Sequence, residues 1–183
     1  GYPAPSKSKR ETKKALRTFA GPQQEFKHAY TDNSEELIQA FEELEWPHDH
    51  STPHRSETNG VAERLVRKVA DGTRCALGQS GFIEVWWALA MQYFCFMSCI
   101  TDLVFDPVTR EAATAYKNRF GEDFRGPQIP LGAEIQYVPI TKKDKKRLHE
   151  FGSKTLRGVF AGYYQREGGG WSGDLRIIDA EEL

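Results

Sequence analysis

Ala15, Leu16 and Phe19 recur at helical spacing among lysines and arginines, which predicts an amphipathic helix over "SKSKRETKKALRTFAG". Ser8 stands at its N-cap, Glu11 follows in capping-box spacing, and Gly21-Pro22 stops it. The period then changes. In "EFKHAYTD", Phe26, His28 and Tyr30 alternate with Lys27, Ala29 and Thr31, the mark of a short strand ending near Asp32. In "SEELIQAFEEL", Leu37, Ile38, Phe41 and Leu44 share one helical face. Ser34 is its expected cap, and acids in the first turn suit the helix dipole. "EWPHDHSTPHRSETNG" is loop-like, with a short strand expected near residues 48–52. "VAERLVRKVADGTRCALGQSG" returns to helix. Its apolar stripe is Ala62, Leu65, Val66, Val69, Ala76 and Leu77, with Gly72 a weak point inside it.

"FIEVWWALAMQYFCFMSCITDL" is the most apolar stretch. Only 17 residues separate Glu84 from Asp102, fewer than the about 20 a membrane span requires, and Gln92 and Ser98 interrupt them. Basic flanks are lacking too, so the reading is a buried core helix or an oligomer contact, with no membrane. "EAATAYKNRFGEDFRGPQIPLG" reads as a polar connector. "AEIQYVPIT", "TLRGVFAGYY" and "GDLRIIDAEEL" read as strands of a small β-barrel-like module, separated by a basic turn at 142–147 and by "QREGGGWSG". The expected division is a core over 1–104, a linker over 105–130 and the β module over 131–183.

Composition narrows the class. In 183 residues, 39% hydrophobic and 12% aromatic content suffices for a packed core. A net charge of −1 selects neither nucleic acid nor a membrane surface, so attraction to an anion has to come from local patches. Residues 7–17, 64–74 and 142–147 supply basic ones. Three cysteines, an odd count, with Cys95 and Cys99 one helical turn apart in the apolar run, read as buried free thiols of a reducing compartment. "GYPAPSKSKRETKK" has no apolar run of the secretory kind.

Asp32, at a strand end, and Glu63, in the first turn of a helix beside Arg64, Arg67 and Lys68, are the candidates for chemistry. Mg²⁺ takes oxygen ligands and retains waters, so a few carboxylates on rigid elements suit a site that also binds substrate phosphates. In a two-ion arrangement the metals clamp the attacking and leaving oxygens of a phosphoryl transfer. The plainer reading makes Asp32 a turn former and Glu63 a support for the helix N-terminus. His48, His50 and His54 invite a zinc reading, but no cysteine pair lies close by in sequence, and a loop is the simpler account. "REGGGWSG" has the glycines of a phosphate loop without the order of one and reads as a hairpin turn.

The residues around the two acids carry a resemblance. "TDN" after a strand, then His48, Ser51, Pro53 and His54 in "HDHSTPH", then "TNGVAER", closely resemble the integrase core of copia-type retrotransposons and, more distantly, of retroviruses. "FIEVWWALA" and "LHEFGSKTLRGVFAGYYQREGGGWSGD" extend the likeness over nearly the whole chain. By this resemblance Asp32 matches the second acid of a D,D,E triad and Glu63 the third. They would be catalytic ligands of Mg²⁺ or Mn²⁺. His54, Asn59, Arg64, Arg67 and Lys68 would contact DNA.

The implied fold is α/β: an N-terminally truncated ribonuclease-H-like core followed by the small β module. The implied activity is DNA integration by 3′-end processing and strand transfer, within a retrotransposon Pol polyprotein. The implied partners are element and target DNA and further copies of the chain, in the nucleus or a virus-like particle. Three departures accompany the match. The triad's first Asp belongs on a strand well ahead of Asp32, and nothing before Ser8 resembles it. Only 30 residues separate Asp32 from Glu63, fewer than the family's usual spacing. "RSETNG" lacks the family's Pro and Gln. A catalytically inactive integrase-derived fragment, acting in nucleic-acid binding or assembly, is therefore the alternative.

Overall fold

The computed structural model describes residues 1–22, 26–51, 60–105 and 110–183. The chain is mixed α/β with small sheets and divides into two compact units. The first comprises Gly1–Gly72 with Gln165–Ser172, the second Thr73–Tyr164 with Gly173–Leu183.

In the first unit, helix α1 (Lys9–Ala20) begins where the sequence predicts. The Ser8 side chain accepts a hydrogen bond from the Glu11 N–H, and Gly21, at φ 74°, ends the helix. Strand β1 (Ala29–Thr31), helix α2 (Glu35–Leu44) and strand β2 (His48–His50) follow. β1 and β2 are parallel, with Ala29 opposite His48 and Thr31 opposite His50. Parallel neighbours require a crossover, which the 16 residues between them supply through α2. Ala20, Ala40 and Phe41 are buried, and Phe26 stacks on Trp46 with centroids 4.5 Å apart. Ser34 precedes α2 as expected, but its hydroxyl caps nothing and is buried without a partner.

Helix α3 (Gly60–Ser80) runs from the first unit into the second, and the division falls between Gly72 and Thr73. In the second unit, a short 3-10 turn (Glu84–Trp86) leads into helix α4 (Trp87–Thr101). At 15 residues α4 is far short of a bilayer crossing, and no helix among the described residues is long and apolar enough for one. Ala90, Phe96 and Ile100 of α4 are buried.

The segment read as a polar connector contains strand β4 (Ala112–Thr114), which pairs antiparallel with the earlier strand β3 (Leu103–Phe105), and helix α5 (Ala115–Phe120). Tyr116 and Phe124 meet Phe96 edge-on, so aromatics hidden in a polar background anchor this stretch. Strands β5 (Glu134–Tyr137), β6 (Leu156–Gln165) and β7 (Trp171–Asp179) form a three-stranded sheet in that order. The barrel-like expectation is corrected here: among the described residues this sheet is open, and no strand pairs β5 with β7.

The basic stretch read as a turn contains a single helical turn, α6 (Lys142–Lys145), because the Thr141 hydroxyl accepts from the Asp144 N–H. The cysteines are free, as expected, but not buried. Cys75 is exposed, since α3 buries Thr73 and Ala76 instead; Cys99 is exposed and Cys95 half-buried, since α4 turns Ala90, Phe96 and Ile100 to the core.

Candidate functional site

Asp32 follows β1 directly, at the carboxyl end of the parallel pair, in the turn that enters α2. Ligands of open α/β sheets collect at this end of the strands. The ladder beneath it is tied by side chains as well as backbone. The Ser51 N–H donates to the Thr31 carbonyl at 2.9 Å. The Thr31 hydroxyl donates to the Asp32 carbonyl at 2.8 Å and lies 2.7 Å from His48 Nε2. The His48 ring stacks on Phe41 at 4.4 Å, and burial there pushes its pKa down, with nearby His50 acting in the same direction. Beside them His28 Nε2 donates to the Asp49 carboxylate at 2.9 Å. The Asp32 carboxylate is exposed and has no hydrogen-bond or ion-pair partner among the described residues.

Glu63 lies in the first turn of α3, exposed and likewise without a partner among the described residues. Arg64 folds back so that its Nε donates to the Gly60 carbonyl at 3.2 Å. Arg67 and Lys68 are exposed on the next turn. Val61, Leu65 and Val66 on the same half of the helix are exposed too. His54 and Asn59 lie outside the described residues. Asp32 and Glu63 both belong to the first unit, and part of the chain between them, 52–59, lies outside the described residues. No group of three or more metal-ligating side chains forms among the described residues.

A cluster the motif reading passed over lies on α1. Lys9, Arg10, Lys13, Lys14, Arg17 and Thr18 line a shallow cleft of about 420 Å³, with Glu43 of α2 and Glu167 of the β6–β7 turn at its rim. Lys9 and Lys13 both bind the Glu43 carboxylate, at 2.6 and 2.9 Å, and the two ammonium groups hold its pKa down to about 2. The turn carrying Glu167 is anchored to α1 by the Gly168 N–H, which donates to the Thr18 carbonyl at 2.8 Å. Any Cβ on Gly21 would sit 2.8 Å from the Gly168 Cα, so that approach requires glycine. The basic run at 7–17 announced the cations, but neither carboxylate is near it in sequence. A scan against models of known protein families finds no match, and no curated protein aligns significantly with the chain.

Proposed function

We propose that the chain is part of a copia-type integrase: a portion of its ribonuclease-H-like core with the downstream β module, serving metal-dependent transesterification of DNA phosphodiesters. The observation that carries this reading is the position of Asp32 at the carboxyl end of a parallel βαβ unit, combined with the motif that surrounds Glu63 in the first turn of α3. The donor chemistry fits Mg²⁺ or Mn²⁺. Asp32 and Glu63 are hard oxygen donors, exposed and uncommitted among the described residues, and two carboxylates leave coordination positions for waters and substrate phosphates. When bound, the ion supplies Lewis-acid stabilisation of a phosphoryl oxygen. The chain's own part is to hold the two acids on a strand end and a helix turn, and to offer Arg64, Arg67 and Lys68 to a DNA backbone.

The test is Mg²⁺-dependent strand joining by a version of the chain extended upstream to supply the triad's first acid. Asp32→Asn and Glu63→Gln each abolish joining while leaving the circular dichroism spectrum unchanged. Undiminished joining by Glu63→Gln removes it from the ligand set.

The exposed basic face of α3 favours a second reading, a nucleic-acid-binding or assembly unit without catalysis. Arg64, Arg67 and Lys68 serve it with or without a metal. DNA binding in chelator, with no joining under any metal condition, selects that reading.

A further inference from the structure

The cleft on α1 is separate from the two acids and is unused by the proposed chemistry. Arg10, Lys14 and Arg17 stand at i, i+4 and i+7, so they fall in one row along the helix. The side chains of Arg10, Lys14 and Arg17 have no hydrogen-bond or ion-pair partner among the described residues. Their neighbours differ: Glu43 engages both Lys9 and Lys13 and stays a carboxylate far below neutral pH. The cleft therefore has a partly neutralised side facing α2, two lysines on one carboxylate, and an uncompensated outer row. Its five cations against Glu43 and Glu167 leave a net +3, in a chain whose overall charge is −1.

The arrangement discriminates between anions. A small phosphate is gripped by donors that converge on it. These three side chains instead stand in line along one side of the open cleft, over seven residues or about 10 Å of helix. That length covers about three steps of one strand of a duplex, whose phosphates rise about 3.4 Å each. Two of the three are guanidinium groups, which match phosphate oxygens with paired donors. No aromatic ring lines the cleft to stack on a base or enforce sequence preference.

We propose that the outer row of α1, Arg10, Lys14 and Arg17, is a sequence-independent contact for the phosphate backbone of a nucleic acid, distinct from the basic face of α3. It requires neither Asp32, nor Glu63, nor a metal.

The experiment is fluorescence anisotropy of the full chain with a short labelled duplex, in chelator, as a salt series. The triple variant Arg10→Gln, Lys14→Gln, Arg17→Gln weakens binding and reduces the salt slope by about 0.9 per lost phosphate contact, up to about 2.7. Glu43→Gln releases Lys9 and Lys13 and tightens binding. Binding is read in chelator, with no metal present, so a failed metal reading is distinguishable from a failed α1 reading. Unchanged affinity and slope in the triple variant, with circular dichroism showing a native fold, overturn the proposal. Equal displacement of the duplex by polyglutamate of matched charge overturns the nucleic-acid assignment.

Discussion

The βαβ segment that carries Asp32 and the aromatic cluster around Phe160 are built on different scales of burial. In the first unit β1 and β2 are three residues each, and Phe41 is the one large side chain among the strongly buried residues. Its described functional candidates, Asp32, Glu63, Arg64, Arg67 and Lys68, are all exposed. The second unit encloses Phe160 at 0% exposure, Tyr163 and Phe96 at 3%, and Leu131 at 4%. Tyr163 alone meets Tyr93, Phe96, Phe124 and Phe160. Its hydroxyl also donates to the Pro127 carbonyl at 2.8 Å and accepts from the Ile129 N–H at 2.9 Å. The large buried side chains are concentrated where no chemistry is proposed, and the described candidate residues sit on the unit that encloses fewer of them. The Asp32 and Glu63 carboxylates are open to a ligand because no described residue engages them.

Phe160→Ala is therefore expected to have the largest effect. It removes a fully enclosed ring from the cluster and costs about 3–5 kcal/mol, read as a fall in the urea midpoint at constant slope. A cost near zero would mean that the cluster does not hold the unit together.

Asp179 comes next. It accepts from both terminal nitrogens of Arg147, at 2.7 and 3.1 Å, from the Tyr137 hydroxyl, and from the Glu181 N–H at 2.9 Å. The Arg147 hydrogen bond, then that of Tyr137, hold its pKa well below the usual carboxylate range, and the same contact pushes the Tyr137 hydroxyl up to about 12. A depressed folded-state pKa stabilises the protein above the unfolded value of about 3.9, and that stabilisation is lost as pH falls below it. Asp179→Asn lowers the melting temperature at neutral pH, and its gap from the wild type closes in acid. A gap independent of pH would assign the loss to packing instead of charge.

What the sequence disclosed follows the reach of each interaction. α1 was legible because Ser8, Glu11 and Gly21 are neighbours that act locally. The strand before Asp32 showed in its alternation, and α3 and α4 in their apolar periods. α5 did not show, because Tyr116 within it and Phe124 after it are anchored by Phe96, more than a helix length back in the chain, while most of the residues around them are polar. The open edge of the β5–β6–β7 sheet is likewise a matter of long-range pairing, which alternation alone does not encode. The α1 cleft repeats the lesson for function: its cations form one run, but the carboxylates that sort them into paired and free come from Glu43 and Glu167. Asp32 and Glu63 came from motif likeness, and the structure adds their positions on a strand end and a helix turn.

The smallest effect is expected at Ser8, in the lightly packed unit. Its hydroxyl satisfies one of the N–H groups left open at the start of α1, through a long contact of 3.4 Å to Glu11. Ser8→Ala removes that bond from an exposed helix end whose first turn can be rehydrated, so the cost is about 0.5–1 kcal/mol, the low side for a cap. The same substitution frays the turn that begins the Arg10–Lys14–Arg17 row without removing any cation. Duplex binding in chelator should therefore fall less than for the triple glutamine variant, and the salt slope should hold, since no phosphate contact is lost. If Ser8→Ala cost as much as Phe160→Ala, the unequal division of stability between the two units would be wrong. A slope that fell with it would mean that helix order in α1, beyond its charges, sets the number of phosphates engaged.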